Sequence, residues 1–407
     1  MLSYSSSFFL ITQALVLVLL PCFLWETRVE AARPWATTGP LNMLPLQESN
    51  WTQQAADEGV VNLDLPPQQR WTEVCSKLAN ESDFLEAYLE NSLHVNNAEA
   101  KVLEYLGETL FNRYGEETSL EIKGCADAMG ISFGLLALLN VGYEARSLGG
   151  GIHNTTGPCD DCMQGKGASG NMCTSIIARQ SDGKVIHGRN LDWNIPAELR
   201  NFVMTIHFTK GGEELFTSAV LLGYVGILTG LKPGKFSVSI DERGLGGNVF
   251  QNLEHALLNP KALQPSHLLR KAFEEAESYD EVLTMLSTYP LVAPVYYIIA
   301  GVTSNEGALL SRDYNESLHP LYLDNSTWYL LQTNYDHWVQ PPVYDDRRSY
   351  GLEYMNKIPQ ANISLDQIKT VLGTWPVRND DTSQTVLMNP LTSDWTFLID
   401  IFTGKKE

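Results

Sequence analysis

A cysteine stands at position 173, directly after a loop rich in Gly, Ser and Asn and at the start of a strand pattern. Residues 167–193 read GASGNMCTSIIARQSDGKVIHGRNLDW. A thiol becomes a strong nucleophile when a neighbouring base or cation stabilises its thiolate. Arg189 and Asp192 follow in the same segment. The pattern therefore indicates nucleophilic catalysis at Cys173. The competing interpretation is a buried small residue, with Asp192 as a strand-end cap.

The hairpin turn predicts how these residues face one another. Asp182-Gly183 is typical of a two-residue type I′ turn between antiparallel strands. With that turn, Cys173 lies directly opposite Asp192 on one face of the hairpin. Strict alternation then directs Arg189 to the other face. A shift of one residue in the turn would break this pairing.

Composition limits the class of protein. The chain has 407 residues, of which 44% are hydrophobic, enough for one large domain or two. The formal net charge is -20, spread along the chain without a long single-sign block. Such an acidic surface repels nucleic acid, which excludes that class of partner. It also suits work in an acidic compartment, where protonation reduces the charge.

The N-terminus is typical of a targeting segment. Residues 8–24 form an apolar run broken by Pro21, and small residues precede a cleavage point near Ala31. We predict a signal peptide over residues 1–31, with an uncleaved anchor helix as the alternative. Secretory passage is also indicated by six N-x-S/T sequons, predicted to be glycosylated. These are Asn50, Asn80, Asn154, Asn315, Asn325 and Asn362.

Five cysteines remain once the signal peptide is removed, and an odd number in an oxidising compartment predicts one leftover thiol. Cys159 and Cys162 lie in a loop that offers no further pair of zinc ligands, so a disulfide is the favoured interpretation there. Cys75 and Cys125 could then pair with each other. Cys173 is the residue left alone.

The part of the chain before Cys173 is predicted to be mainly helical. Residues 32 to about 57 show no period and indicate a propeptide or loose arm, followed by a short strand near residue 60. Residues 72–113 have helical spacing. Residues 120–145 predict a strand or turn and then an apolar helix, either a core helix or an element that meets lipid through residues 131–139. Residues 146–172 predict a surface loop.

After Cys173 the pattern changes to strands. Alternating or apolar runs near residues 173–179, 184–189, 202–208, 235–241, 295–301, 308–313 and 327–338 predict strands. Helical spacing predicts helices over residues 266–277, 279–287 and 364–372. Strands, then helices, then strands again predict an α+β layered fold.

The motifs carry a family resemblance. CTSII and GKVIHGRNLDW resemble the nucleophile segment of the acid ceramidase and N-acylethanolamine acid amidase family. VVNLDLPPQQRW, GYVGILTGLKPGKFSVSIDER, PLVAPVYYIIAG, QTNYDHW and DDRR match in the same order. The resemblance covers residues 60–391 apart from the loop at 146–172, which is longer than the family's. The family belongs to the N-terminal-nucleophile hydrolases and is related to bile salt hydrolases.

The resemblance implies a fold and a maturation step. The expected fold is an αββα sandwich with a mainly helical N-terminal part. Self-cleavage of the Met172–Cys173 bond would give a helical α subunit, residues 32–172, and a catalytic β subunit, residues 173–407. The two would remain together as an α/β heterodimer. The new α-amine, with a reference pKa near about 8, would serve as the base for the thiol.

The resemblance also implies roles for single residues. Cys173 would attack the substrate amide and hold the acyl chain as a thioester. Asp192 would bind and orient the amine or thiol, and Arg189 would hold the charge pattern. No metal or organic cofactor is implied.

Three further positions match family site residues in the second half of the chain. Asn334 of TNYDHW would donate to the oxyanion. Arg347, the first arginine of DDRR, matches a site arginine. Glu242 of DERG matches a glutamate near the nucleophile.

The implied substrate is a long-chain fatty amide, presented by a membrane surface or a lipid micelle in the lysosome or after secretion. RNLDW, VYYIIAG and TNYDHW are more similar to the amidase than to the ceramidase, and no cysteine follows Cys173. These features favour N-acylethanolamines over ceramide, which stays the alternative. A secreted lipid-binding glycoprotein that kept the fold without turnover is a third possibility.

Overall fold

The computed structural model describes residues 51–93, 115–146, 172–193, 197–244, 249–342 and 345–402. The predicted signal peptide, the loop carrying Cys159 and Cys162, and the sequons Asn50 and Asn154 lie outside these residues. Within the described part, none of the helices has the length and apolar character needed to span a membrane.

The strands are short and are numbered here in chain order. They are β1 Trp51–Ala55, β2 Asp57–Asn62, β3 Met172–Arg179, β4 Val185–Asp192, β5 Val203–Lys210, β6 Glu213–Leu221, β7 Thr229–Lys232, β8 Phe236–Glu242, β9 Val295–Ala300, β10 Gly307–Arg312, β11 Ser317–Tyr322, β12 Tyr329–Gln332, β13 Thr382–Asn389 and β14 Asp394–Phe402.

The helices fall before, between and after the strands. They are α1 Thr72–Ser76, α2 Ser82–Leu93, α3 Glu116–Met129, α4 Phe133–Arg146, α5 Val249–Leu258, α6 Pro265–Glu275, α7 Tyr279–Thr288, α8 Arg347–Asn356 and α9 Leu365–Leu372. Side chains that accept from a backbone N–H begin three of them: Ser278 before α7, Asp346 before α8 and Ser364 before α9.

The strands form two sheets. The first has six strands in the order β1-β14-β13-β4-β3-β12, and the second has eight in the order β11-β10-β9-β8-β7-β6-β5-β2. Neighbouring strands are antiparallel except β2 and β5, which are parallel. The β3–β4 hairpin lies between β13 and β12 in the first sheet and contacts β8 and β9 of the second sheet. It therefore lies at the centre of the sandwich.

Helices cover both outer faces. On the first sheet, α8 and α9 pack over an apolar layer that includes Ile176, Met355 and Ile368. On the second sheet, α6 and α7 pack against β6, β8, β9 and β10. Between the sheets, Ile177 and Ile298 belong to a further buried cluster. This order of helix, sheet, sheet and helix confirms the predicted α+β class and the αββα sandwich.

The helical segment before Cys173 packs on the second sheet. Cys75 and Cys125 form the disulfide that joins α1 to α3, as predicted. The Arg270 guanidinium of α6 lies 3.3 Å from the Glu121 carboxylate of α3 and 4.5 Å from the Phe208 ring centroid. A covalent link within the segment and a buried ion pair to the sheet therefore hold it in place.

Two local predictions were wrong, and several elements were missed. Residues 51–57 are not a loose arm, because β1 pairs with β14 and contributes backbone hydrogen bonds to the first sheet. Residues 116–129 are helical throughout, so no strand or turn begins near residue 120. The α5 and α8 helices were not predicted. Neither were β6, β7, β11, β13 and β14, several of which are buried on both faces and show no alternation.

The apolar helix at residues 131–139 is a core element in this structure. Leu135, Leu136 and Ala137 are buried, and Leu136 lies against Gly223 in the turn that follows β6. The helix therefore offers little apolar surface to a lipid bilayer here, which favours the core interpretation of this segment.

Gly124 generates a stability prediction. A Cβ at this position of α3 would lie 2.0 Å from the Gln68 carbonyl oxygen, which is backbone and cannot rotate away. Gly124→Ala should lower the free energy of unfolding by about 1–3 kcal/mol, despite the helix preference of alanine. Lys123→Ala, at the exposed neighbouring position, is the matched control. Equal or greater stability of Gly124→Ala in urea unfolding would contradict this packing.

Candidate active site

The β3–β4 hairpin has a different register from the predicted one. Its loop contains three residues, since Gln180 and Lys184 close it and Gly183 takes a positive φ of 89°. Cys173 therefore pairs with Leu191, and Met172 pairs with Asp192. The predicted pairing of Cys173 with Asp192 was wrong by one residue.

That single shift exchanges the faces of two site residues. Arg189 lies opposite Ser175, which places its side chain on the same face as the Cys173 thiol. The prediction that Arg189 points away was wrong. Asp192 instead shares the face of Asn190, which is directed toward α9. The hairpin thus places the cation beside the sulfur and the carboxylate on the far side.

Arg189 is completely buried and places a positive charge beside the thiol. Its Nη2 lies 3.1 Å from Cys173 Sγ and donates to the Ile240 carbonyl at 3.0 Å. Its Nη1 donates to Thr229 Oγ1. These contacts fix the plane of the guanidinium. A cation held this close favours the thiolate form of Cys173.

Burial acts against that charge in the uncut chain. Cys173 is free of disulfide bonding and has no exposed surface. Desolvation raises the pKa of its thiol to about 12, although Arg189 acts in the opposite direction. The thiol is therefore protonated here and must give up its proton as it attacks.

The backbone N–H and carbonyl of Cys173 are both hydrogen-bonded to site residues. Its N–H donates to Asn334 Oδ1 at 2.7 Å, and its carbonyl oxygen accepts from Arg347 Nη1 at 2.6 Å. Arg347 Nη2 also donates to Asn334 Oδ1, at 2.8 Å. The Asn334 amide NH2 donates to the Glu242 carbonyl at 2.9 Å. Asn334 therefore accepts at the nitrogen of the Met172–Cys173 bond.

Asp192 is bound to residues other than the thiol. It accepts from Arg347 Nη1 at 3.1 Å, from Thr382 Oγ1 at 2.6 Å and from Asn379 Nδ2 at 3.1 Å. Burial raises its pKa to about 6, while Arg347 acts in the opposite direction. Through Arg347, Asp192 positions the backbone of Cys173 without contacting the sulfur.

The structure thus brings all six predicted site residues to one place. Cys173, Arg189, Asp192, Asn334 and Arg347 are joined by hydrogen bonds or close contacts, and Glu242 takes part through its backbone carbonyl. The roles inferred for them from the family, including oxyanion donation by Asn334, stay predictions.

Several residues around the site were missed from sequence. Asp345 binds Arg347 with both carboxylate oxygens, at 2.6 and 2.8 Å. Asn379 and Thr382 reach Asp192 from the far end of the chain. Asp241 lies 3.8 Å from Arg189. Asp345 and Asp241 stand within two residues of predicted site residues, which was the available signal. Nothing in the sequence pattern pointed to Asn379 or Thr382.

A small apolar cavity lies beside Leu191, the strand partner of Cys173. Its lining also includes Leu228, whose carbonyl accepts from Arg189. Trp193, Val203 and Ala219 complete much of its wall. The space is about 20 Å³, room for a single water molecule. It is therefore nearly closed in the uncut chain.

Comparisons with known proteins identify the family. Residues 173–359 match the family of linear amide C–N hydrolases, choloylglycine hydrolase family. The chain is 32% identical to acid ceramidase of Pan troglodytes over 348 residues, which is 81% of this chain and 82% of that protein. It is also 32% identical to N-acylethanolamine-hydrolyzing acid amidase of Rattus norvegicus over 340 residues, or 82% of this chain and 86% of the rat protein.

A solved structure is also similar. The Caenorhabditis elegans N-acylethanolamine-hydrolyzing acid amidase ortholog superposes with a TM-score of 0.50 at 31% identity, covering 55% of this chain and 94% of that one. The chain belongs to the acid ceramidase and N-acylethanolamine acid amidase family. It is an amidohydrolase that acts on linear amides, and its substrates are lipid amides.

The buried Asp192 carboxyl gives a prediction on stability and pH. Its pKa in the folded chain, about 6, exceeds the unfolded value near 3.8. Its protonation therefore stabilises the fold fully below about pH 4, and this contribution is lost as the pH rises through 6. Asp192→Asn should gain about 3 kcal/mol relative to the parent between pH 4 and pH 7.

The measurement is urea unfolding of both chains in a Cys173→Ala background, which excludes cleavage. The pH dependence of the difference matters, because burial lowers the pKa of His187 and His267 to about 3 and they titrate in the opposite sense. If the difference in free energy of unfolding stays constant over this pH range, or changes in favour of the parent, the pKa of Asp192 is not raised.

Proposed function

We propose that the chain is a precursor that cleaves its own Met172–Cys173 bond and then hydrolyses N-acylethanolamines to a fatty acid and ethanolamine. The observation that carries the proposal is the arrangement at Cys173. A thiol lies 3.1 Å from a buried guanidinium, and the peptide nitrogen of the same residue is held by Asn334 at 2.7 Å.

The cleavage step follows from this arrangement. The Cys173 sulfur attacks the Met172 carbonyl carbon through a five-membered ring, and the thiol proton passes to the departing nitrogen. The C–N bond breaks, which leaves Met172 as a thioester on Cys173 and frees the α-amine. Water then hydrolyses the thioester and restores the thiol. Asn334 Oδ1, which accepts from the peptide N–H, is placed to keep accepting from the amine.

Turnover of substrate uses the same atoms. The α-amine takes the thiol proton, the sulfur attacks the amide carbonyl, and the proton is passed to the departing ethanolamine. Water, deprotonated by the amine, then attacks the thioester; the C–S bond breaks, the fatty acid leaves, and the amine returns the proton to the sulfur. Arg189 stabilises the thiolate in both halves of the cycle.

The apolar cavity beside Leu191 is our candidate for the start of the acyl-chain site. It adjoins the strand that carries the nucleophile, and apolar groups form most of its lining. A long acyl chain needs far more space than about 20 Å³, so we infer that cleavage opens it.

Ceramide is the second candidate substrate, because both kinds of relative are equally similar to the chain. The motifs RNLDW, VYYIIAG and TNYDHW favour the amidase. An enzyme for ceramide must accommodate a second long chain on the amine side. N-acylethanolamines make no such demand.

We place the mature α/β heterodimer in the lysosome or outside the cell, acting on lipid amides drawn from a membrane surface or micelle. The four sequons within the described residues support a secretory route, since Asn80, Asn315, Asn325 and Asn362 are all exposed. The word acid in the names of both relatives supports an acidic compartment.

Self-cleavage can be read directly from intact mass. The purified precursor, incubated at pH 4.5–5.5, should yield a fragment whose N-terminus is Cys173. Cys173→Ala should stay a single chain, because no nucleophile remains, while Cys173→Ser should cut more slowly. An uncut wild-type chain, or a Cys173→Ala chain cut at the same bond, would disprove the maturation step.

Substrate choice is tested with two amides that share one acyl chain. The mature enzyme should hydrolyse palmitoylethanolamide with kcat/KM at least about tenfold higher than N-palmitoyl-sphingosine in the same mixed micelles, equivalent to about 1.4 kcal/mol of discrimination at the amine side. A kcat/KM on N-palmitoyl-sphingosine equal to or higher than that on palmitoylethanolamide would favour the ceramidase assignment. Lipid binding without hydrolysis of either amide would favour the non-catalytic alternative.

A further inference from the structure

A chain of polar side chains runs through the interior of the sandwich beneath Cys173. His187 contacts Ser237 at 3.1 Å and Ser239 at 3.0 Å, one through each ring nitrogen. Ser239 lies 2.9 Å from Ser175, which donates to Asp241 Oδ1 at 2.8 Å. All five residues are completely buried. Polar groups buried between two sheets lower stability unless they are fully hydrogen-bonded.

The end of this chain reaches the catalytic cation. Asp241 Oδ1 lies 3.8 Å from Arg189 Nη2, the same nitrogen that lies 3.1 Å from the Cys173 sulfur. The carboxyl and the thiol therefore share one corner of one guanidinium. A negative charge on either group opposes ionisation of the other, because both lie close to the same nitrogen and like charges repel.

We propose that Asp241 is a positioning residue for the nucleophile, whose protonation sets how much of the Arg189 charge is available to Cys173. With Asp241 neutral, the whole charge of Arg189 favours the thiolate. With Asp241 ionised, a second negative group lies close to the sulfur, and its repulsion offsets part of the stabilisation that Arg189 gives the thiolate. The inference rests on the proposed function, because it concerns the thiol that performs it.

The surroundings of Asp241 place this change between acidic and neutral pH. Burial raises the pKa of Asp241 to about 7, while Arg189 and the Ser175 hydroxyl act in the opposite direction. Only Oδ1 is hydrogen-bonded by the described residues; Oδ2 is buried without a donor. An acidic environment thus keeps the Asp241 carboxyl neutral, so that no charge on Asp241 opposes stabilisation of the thiolate by Arg189.

Other titratable groups near Asp241 do not reproduce this effect. On β4, burial lowers the pKa of His187 to about 3, so it stays neutral. On β9, Tyr296 pairs with Asp241 across the sheet and donates its hydroxyl to Asp336. Asp192 and Arg347 act from the helix side and bind each other. Glu242 follows Asp241 on β8 and meets Asn334 through its carbonyl.

The test is the pH profile of kcat/KM on palmitoylethanolamide for the mature wild type and Asp241→Asn. The wild type should lose about tenfold between pH 5 and pH 8, a loss expected from ionisation of a group with a pKa near 7. Asp241→Asn, which still accepts from Ser175 and cannot ionise, should lose less than about threefold. Glu121→Gln, a buried paired carboxylate far from the thiol in sequence, should keep the wild-type profile.

A second variant covers the case in which Asp241→Asn does not fold, as judged by thermal unfolding. Ser175→Ala removes one hydrogen bond to the ionised carboxylate, so the midpoint of activity loss should move up by about one pH unit. An unchanged midpoint in Ser175→Ala, or a wild-type profile in a folded Asp241→Asn, overturns the inference. A wild type that neither cleaves itself nor hydrolyses either amide would instead reject the proposed function.

Discussion

Two buried guanidinium groups organise the centre of this protein. Arg189 lies on the face of the β3–β4 hairpin directed toward the second sheet, and Arg347 reaches the opposite face from α8. A buried charge is tolerated only when it is paired and hydrogen-bonded. Asp192 and Asp345 meet that requirement for Arg347. Arg189 is met by carbonyls, a threonine, the Cys173 thiol and, more distantly, Asp241. The Cys173 thiol is thus part of the charge balance of the core.

This constraint explains why the site is assembled before it is usable. The uncut chain holds the thiol buried and protonated, with its peptide nitrogen on Asn334 and its carbonyl on Arg347. Each of these groups is in place around the bond proposed to break. The uncut chain does not carry the α-amine of Cys173, and among the described residues the cavity beside Leu191 is nearly closed. Cleavage at Met172–Cys173 would supply the amine, and the same hairpin would carry out both the maturation and the turnover.

Sequence reasoning predicted the layers of the fold and the members of the site, with the geometry wrong at one point. The family motifs named Asn334 and Arg347, which no periodicity would have selected. The predicted hairpin register was wrong because Asp182-Gly183 fits both a two-residue turn and the end of a three-residue loop. Local turn chemistry does not distinguish the two. That one residue reversed the faces of Arg189 and Asp192. Strands buried on both faces, such as β13, were missed because they show no alternation, and Asn379 and Thr382 join the site only through the folded chain.

We propose that the charge held beside Cys173 makes its thiol a nucleophile in the mature protein. The most direct measurement is the rate of iodoacetamide alkylation of Cys173 in the cleaved heterodimer, followed by mass spectrometry from pH 4 to pH 10. We predict a midpoint well below about 8.5, the ordinary pKa of a cysteine thiol, because Arg189 and the new amine both favour the thiolate. A midpoint at or above that value would contradict the account.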